Sequence, residues 1–168
     1  CSGLVGSEMC IRDSLRPEIT LGVFSFNVTH EDEAKRNVFG DIRFREAMSI
    51  AINRAELNDV GFFGEGTPQQ YIGFSPKPAF VSDKWMSHAT EFDAARANSL
   101  LDEIGMKDTD GDGFRELPNG DKLVLNMSFA TQGIAGQTVE LVGQYWADVG
   151  VQSVVKEVTP DELSLIHI

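Results

Sequence analysis

Asp41-Ile-Arg-Phe-Arg-Glu-Ala-Met-Ser-Ile-Ala-Ile-Asn-Arg-Ala-Glu-Leu-Asn-Asp-Val-Gly-Phe-Phe-Gly-Glu-Gly-Thr-Pro68 is the stretch whose reading decides the fold. Phe44, Ala47, Met48 and Ala51 recur at the spacing of one helix face, with Arg43, Arg45, Glu46 and Ser49 on other faces. Asp41 stands at the N-cap position. A second short helix is expected at once: Asn53 caps it, Glu56 sits at the third helical position to return the bond, and Leu57 and Val60 form an inward edge. Gly61, Gly64, Gly66 and Pro68 then stop it.

The run RFREAMSIAINRAELNDVGFFGEGTP, residues 43–68, resembles the signature of family 5 of the bacterial solute-binding proteins, which serve ABC importers of oligopeptides, dipeptides and related ligands. Members carry a strand ending in Phe-Asn, an Arg-x-Arg-x-Ala helix, an Asn/Asp-Arg turn, a second helix and a Gly-rich exit. All occur here in that order, beginning with Phe26-Asn27. Residues 91–106, EFDAARANSLLDEIGM, resemble the family's Tyr/Phe-Asp-x-x-x-Ala-x-x-Leu-Leu-x-x-x-Gly helix. Asp93 caps it, Ala94, Ala97, Leu100, Leu101 and Ile104 make its stripe, and Gly105 supplies a left-handed exit.

Outward from this centre, the chain of 168 residues is long enough for one domain with a core, and its 42% hydrophobic content is that of a globular protein. The net charge of −12 argues against nucleic acid as a partner, since phosphates demand a basic surface. No apolar run reaches the length of a membrane span, and no signal peptide is visible. Cys1 to Ser14 and Leu163 to Ile168 resemble peptides translated from sequencing-adapter DNA at the edges of metagenomic contigs. They are set aside, leaving residues 15–162 as the native part; the alternative is a genuine extension with two free thiols. Both cysteines lie in the excluded N-terminal piece, so they give no redox compartment.

Ile19 to Asn27 reads as a strand, and Thr29 to Asn37 as a solvated loop or short helix. The resemblance places Asn27 close to an interlobe cleft; by itself it reads as a strand-end or turn residue. Gln69 to Thr90 is a long connection bearing Tyr71, Phe74, Phe80 and Trp85, whose aromatics are expected to pack within the lobe. Asp108, Asp110 and Asp112 occupy positions one, three and five of a calcium-loop pattern, followed by Gly113. The twelfth position is Asn119, where such a loop needs a bidentate carboxylate, so an Asp/Gly-rich turn competes with calcium. A small calcium-dependent module built on Asp108–Asp112 is the alternative function; otherwise no metal is expected.

Leu123, Leu125, Met127 and Phe129 alternate as in a strand. A helix follows over 137–149, striped by Val139, Val142, Tyr145, Trp146 and Val149, and a second strand over 151–158. Strand, helix, strand at this spacing is a βαβ crossover, which makes the two strands parallel neighbours. Its first loop lies at the carboxyl end of a strand and at a helix N-terminus, where open α/β sheets bind ligands. Thr131, Gln132 and Gln137 are therefore the candidate ligand-facing residues, beside Asn27. The bland reading of the same loop is solvated polar side chains.

Nothing reads as catalytic machinery. There is no Gly-x-Ser-x-Gly elbow, His30 and His88 read as surface residues, and Asp102-Glu103 lie side by side on a helix without facing a common point. Gly64-Glu65-Gly66 closes a helix where a phosphate loop would open one. The fold expected is α/β, a partial lobe of a periplasmic-binding-protein fold (type II, cluster C), formed by the first portion of its second lobe. The resemblance implies an extracytoplasmic, monomeric binding component that needs no cofactor and closes on a peptide or similar solute. It would deliver that solute to ABC permease subunits, without covalent chemistry.

Overall fold

A computed structural model describes residues 23–70, 77–130 and 135–162. The first helix, α1 (Glu33–Gly40), is capped by Asp32, which accepts from the amides of Ala34 and Lys35. It runs beyond the polar stretch because Val38 and Phe39 are buried. α2 (Ile42–Ile50) follows immediately, Asp41 accepting from the Arg43 amide at 2.8 Å. Phe44, Ala47, Met48 and Ile50 form its inward face and are essentially sealed from solvent.

α3 (Arg54–Phe62) begins at Asn53, whose side chain accepts from the Glu56 amide. The expected capping box forms differently: the Glu56 carboxylate meets the Asn53 side-chain amide at 3.3 Å and also accepts from the Tyr145 hydroxyl at 2.6 Å. The inward edge holds for Leu57, which packs against the core, but not for Val60, which is half exposed. α3 fully buries none of its residues, and Val60 stays in solvent. The long connection carries a one-turn helix, α4 (Asp83–Met86), and is pinned by Gln70, whose amide donates to the Met86 carbonyl. Phe80 and Trp85 are largely exposed, contrary to the packing expected of them, and Tyr71 and Phe74 lie outside the described residues.

α5 (Ala94–Glu103) is capped by Asp93, buries Ala97 and Leu101, and packs on α2. Gly105 takes the left-handed conformation (φ 84°) that ends it. β1 (Val124–Phe129), α6 (Gly136–Asp148) and β2 (Gln152–Glu157) form the crossover. β1 pairs parallel with β2, from Val124 opposite Gln152 to Phe129 opposite Glu157. Leu125, Met127 and Phe129 point into the core, whereas Asn126 and Ser128 face out.

The core joins the two halves through Trp146 of α6, only 2% exposed, whose indole N–H donates to the Met48 carbonyl at 3.0 Å. Phe24 and Phe26 pack against the same ring at 5.3 and 5.9 Å. These two belong to the segment expected as a strand over 19–27. Residues 19–22 lie outside the described residues, and 23–27 alternate between exposed and half-buried without a ladder partner among the described residues. Its side chains anchor to an indole, not to a neighbouring strand.

Candidate functional site

The site of interest is the end of the crossover where β1 stops and α6 starts. Of the four candidates, Thr131 and Gln132 lie outside the described residues. Gln137 is exposed in the first turn of α6. That turn has no side-chain cap, since Ala135 holds the N-cap position. Buried Thr138 follows, and the α3 residue Gly61 packs against it so closely that a Cβ on Gly61 would lie 2.6 Å from the Thr138 hydroxyl oxygen. The C-terminal end of α3 is thereby brought to the same end of the molecule as the start of α6. Phe63, which the residue pattern did not single out, sits there in the left-handed conformation (φ 53°) with its ring 90% exposed. An aromatic placed between a helix end and Gly64 was the signal available.

Asn27 is exposed and occupied locally: its Oδ1 accepts from both the amide and the hydroxyl of Thr29. That is the turn-residue geometry. The triplet Asn27-Val28-Thr29 is therefore a turn in its own right.

The Asp/Gly loop gathers the carboxylates of Asp108, Asp110, Asp112 and Glu116 with oxygens within 4.8 Å of one another. Asp108 accepts from the amides of Gly111 and Gly113, Asp110 from that of Asp112, and Asp112 from that of Phe114. Asn119 is not the residue that closes the loop: it bonds Asp121, and Glu116, buried against the Thr109 amide and hydroxyl, approaches instead. The Lys122 ammonium lies 2.8 Å from Asp110 and 2.6 Å from Asp112. Its bond to Asp112 holds that carboxyl below the ordinary range, and the two aspartates push the Lys122 ammonium's pKa upward. The loop therefore carries its own cation. Sequence spacing missed Lys122 because it lies across an antiparallel bridge between Glu116 and Lys122.

No catalytic geometry appears among the described histidines. His30 accepts from the Asp32 amide at 3.0 Å, and exposed His88 meets Glu46 at 3.1 Å. Arg54 is tucked against the Ser49 carbonyl and hydroxyl and the Thr90 carbonyl, and burial lowers its pKa. A cavity of about 270 Å³ lies between α1 and the 118–119 turn, lined by Asn37, Val38, Asp41, Ile104 and Pro118 among others, and holds none of the predicted ligand residues.

The family model of the bacterial extracellular solute-binding proteins, family 5, matches residues 8–165. The chain belongs to that family. Among solved structures, the oligopeptide-binding protein OppA superposes with a TM-score of 0.77 at 35% identity, over 84% of this chain and 22% of that one. A mannohexaose-bound periplasmic oligopeptide-binding protein from Thermotoga maritima has a TM-score of 0.60 at 26% identity, over 71% and 23% of the two chains. A periplasmic α-galactoside-binding protein of Rhizobium meliloti (strain 1021) is 29% identical over 122 residues, 65% of this chain and 18% of the relative. The chain thus spans about a fifth of the length of these relatives. The fold is the α/β architecture of type II periplasmic binding proteins, present as part of such a chain. Members are periplasmic or extracellular binding proteins, and no described helix is long and apolar enough to cross a membrane.

Proposed function

We propose that this chain is part of the solute-binding component of an ABC importer, taking up a peptide or a similar solute such as an oligosaccharide outside the cytoplasmic membrane. The observation that carries this reading is the family 5 match over residues 8–165. The relatives named for peptides, mannohexaose and α-galactosides set the range of solutes. The mechanism is capture without bond making: polar groups at the β1–α6 end and on a facing lobe close around the solute, which then passes to permease subunits. This reading assigns the solute contacts on this chain to Gln137, exposed in the first turn of α6, together with Thr131, Gln132 and Asn27. No step in this reading needs a nucleophile, base or cofactor, so the protein is a binding protein and not an enzyme.

The test is a backbone amide NMR titration of the 168-residue chain with short peptides and with stachyose. Millimolar solute is expected to shift the Gln137 signal and those at the end of β1. Solute shifts that fall elsewhere and spare Gln137 and the end of β1 refute the assignment of this end to the solute. A calcium response without a solute response would favour the alternative module on Asp108–Asp112.

A further inference from the structure

The hairpin turn after Glu116 contains the one asparagine in the sequence that precedes a glycine, Asn119-Gly120. The Gly120 amide donates to the Leu117 carbonyl at 2.8 Å, and the Leu117 amide to the Asp121 carbonyl at 2.8 Å. Gly120 is left-handed (φ 89°), as the exit of such a turn requires. Residues 118–121 are exposed, so water reaches every atom of the side chain. A Cβ on Gly120 would meet nothing within 4 Å, which leaves room for a ring to form between the two residues. The Asn119 Oδ1 accepts from the Asp121 amide at 3.1 Å, a donor placed to steady negative charge growing on that oxygen. Only the Gly120 nitrogen is held back, by its bond to Leu117.

The reaction these atoms allow is deamidation. The Gly120 nitrogen, its proton lost to hydroxide, attacks the Asn119 Cγ; the Cγ–Nδ2 bond breaks, and Nδ2 takes a proton from water and leaves as ammonia. Water then opens the cyclic imide. Opening between Cγ and the Gly120 nitrogen restores the main chain with an aspartate, and opening on the other side gives isoaspartate, whose main chain runs through Cβ and Cγ. Either product loses the bond from the Asn119 side-chain nitrogen to Asp121 at 2.7 Å and sets two carboxylates together in its place. Isoaspartate also lengthens the turn by one methylene between Glu116 and Lys122, which face each other across it. That pairing seats Glu116 on Thr109 and the Lys122 ammonium on Asp110 and Asp112.

We propose that Asn119 is a self-modification site, deamidating at a pace set by opening of the 117–121 hairpin, and that isoaspartate there releases Lys122 from the Asp/Gly loop. The proposal is independent of the solute-binding reading. The test incubates the 168-residue chain and the peptide Leu-Pro-Asn-Gly-Asp at mildly alkaline pH, with peptide mapping by mass spectrometry and detection of isoaspartate by enzymatic carboxyl methylation. Asn119 is expected to convert ahead of every other asparagine, and about tenfold more slowly than in the peptide because the Gly120–Leu117 bond must open first. The isoaspartate form, isolated by ion exchange, should show the Lys122 side-chain NMR signals of a solvated lysine and a Tm lower by about 5 °C. Asn119→Asp adds the charge without the extra methylene and should keep the Lys122 contacts; Asn119→Ser should abolish the conversion. Earlier conversion at another asparagine, equal rates in chain and peptide, or an isoaspartate form matching the parent in Tm and Lys122 signals overturns the proposal. Loss of the Lys122 contacts in Asn119→Asp overturns it too, since charge and not the lengthened turn would then be the cause.

Discussion

Arg115 holds two helix ends with one guanidinium, and its removal is the most informative perturbation of the fold. Its Nη1 donates to the Met106 carbonyl at 2.6 Å and to Asp102, its Nε to the Val149 carbonyl at 3.0 Å, and its Nη2 to the Asn98 side chain at 2.9 Å. The carbonyls belong to the exits of α5 and α6, where intrahelical donors run out. Asp102 is more than half exposed, so that ion pair is discounted heavily. The two carbonyls and Asn98 are different, since Met106 and Val149 are fully buried. Truncation leaves three acceptors unserved at about 1 kcal/mol each, the low end because water can enter the vacated space. Arg115→Ala is therefore expected to lose about 3 kcal/mol, and Arg115→Lys about 2 kcal/mol because an ammonium reaches only one acceptor. Urea unfolding followed by tryptophan fluorescence measures both. A loss below about 1 kcal/mol for the alanine variant, or a lysine variant equal to the parent, would refute the stapling argument.

Three further outcomes follow from local geometry. Gly61→Ala drives a methyl to 2.6 Å from the Thr138 hydroxyl oxygen, so about 1–3 kcal/mol of overpacking should exceed the gain in helix propensity, and Thr138→Ala should recover part of it in a double-mutant cycle. Burial and the bond to Glu56 raise the Tyr145 pKa, so the fold favours the neutral phenol. That stability is complete below about pH 10 and is lost as pH rises further; the urea midpoint should fall on the alkaline side, and less so in Tyr145→Phe. Lys122→Ala strips the Asp/Gly loop of its internal cation, and calcium should then raise the variant's Tm more than the parent's. Equal responses in a calcium melting series would show that Lys122 does not stand in for a metal.

What the sequence made legible was whatever is decided within a few residues. Asp41, Asn53 and Asp93 cap their helices as expected, Gly105 takes the left-handed exit, and the crossover strands pair in parallel. These follow from side chains bonding the next turn and from periodicity. Contacts across the fold were not legible. Arg115 reaches 34 residues to Val149, and the Tyr145 hydroxyl reaches 89 residues to Glu56. Val60 misled because an apolar residue on a surface helix reads the same on either face, and the approach of Glu116 and Lys122 to the Asp/Gly loop depends on pairing across bridges that spacing does not show. Of the candidate site, the rule for strand ends pointed to the crossover end where Gln137 lies exposed in the first turn of α6, whereas the left-handed backbone and exposure of Phe63 became visible only in the fold.

The parallel pairing of β1 and β2 has a kinetic consequence. Antiparallel neighbours can zip from a tight turn, but Val124 and Gln152 meet only after the whole of α6 has been laid down between them. Loop-closure entropy is then spent before any ladder bond repays it. The order of events that limits this cost is docking of α6 first, with Trp146 seated on the Met48 carbonyl, so that the helix delivers both strands to each other. That order predicts the indole anchor as the folding nucleus as well as a core residue. Trp146 should therefore slow folding when weakened, whereas changes at the outer β2 residue Val154 should act on unfolding.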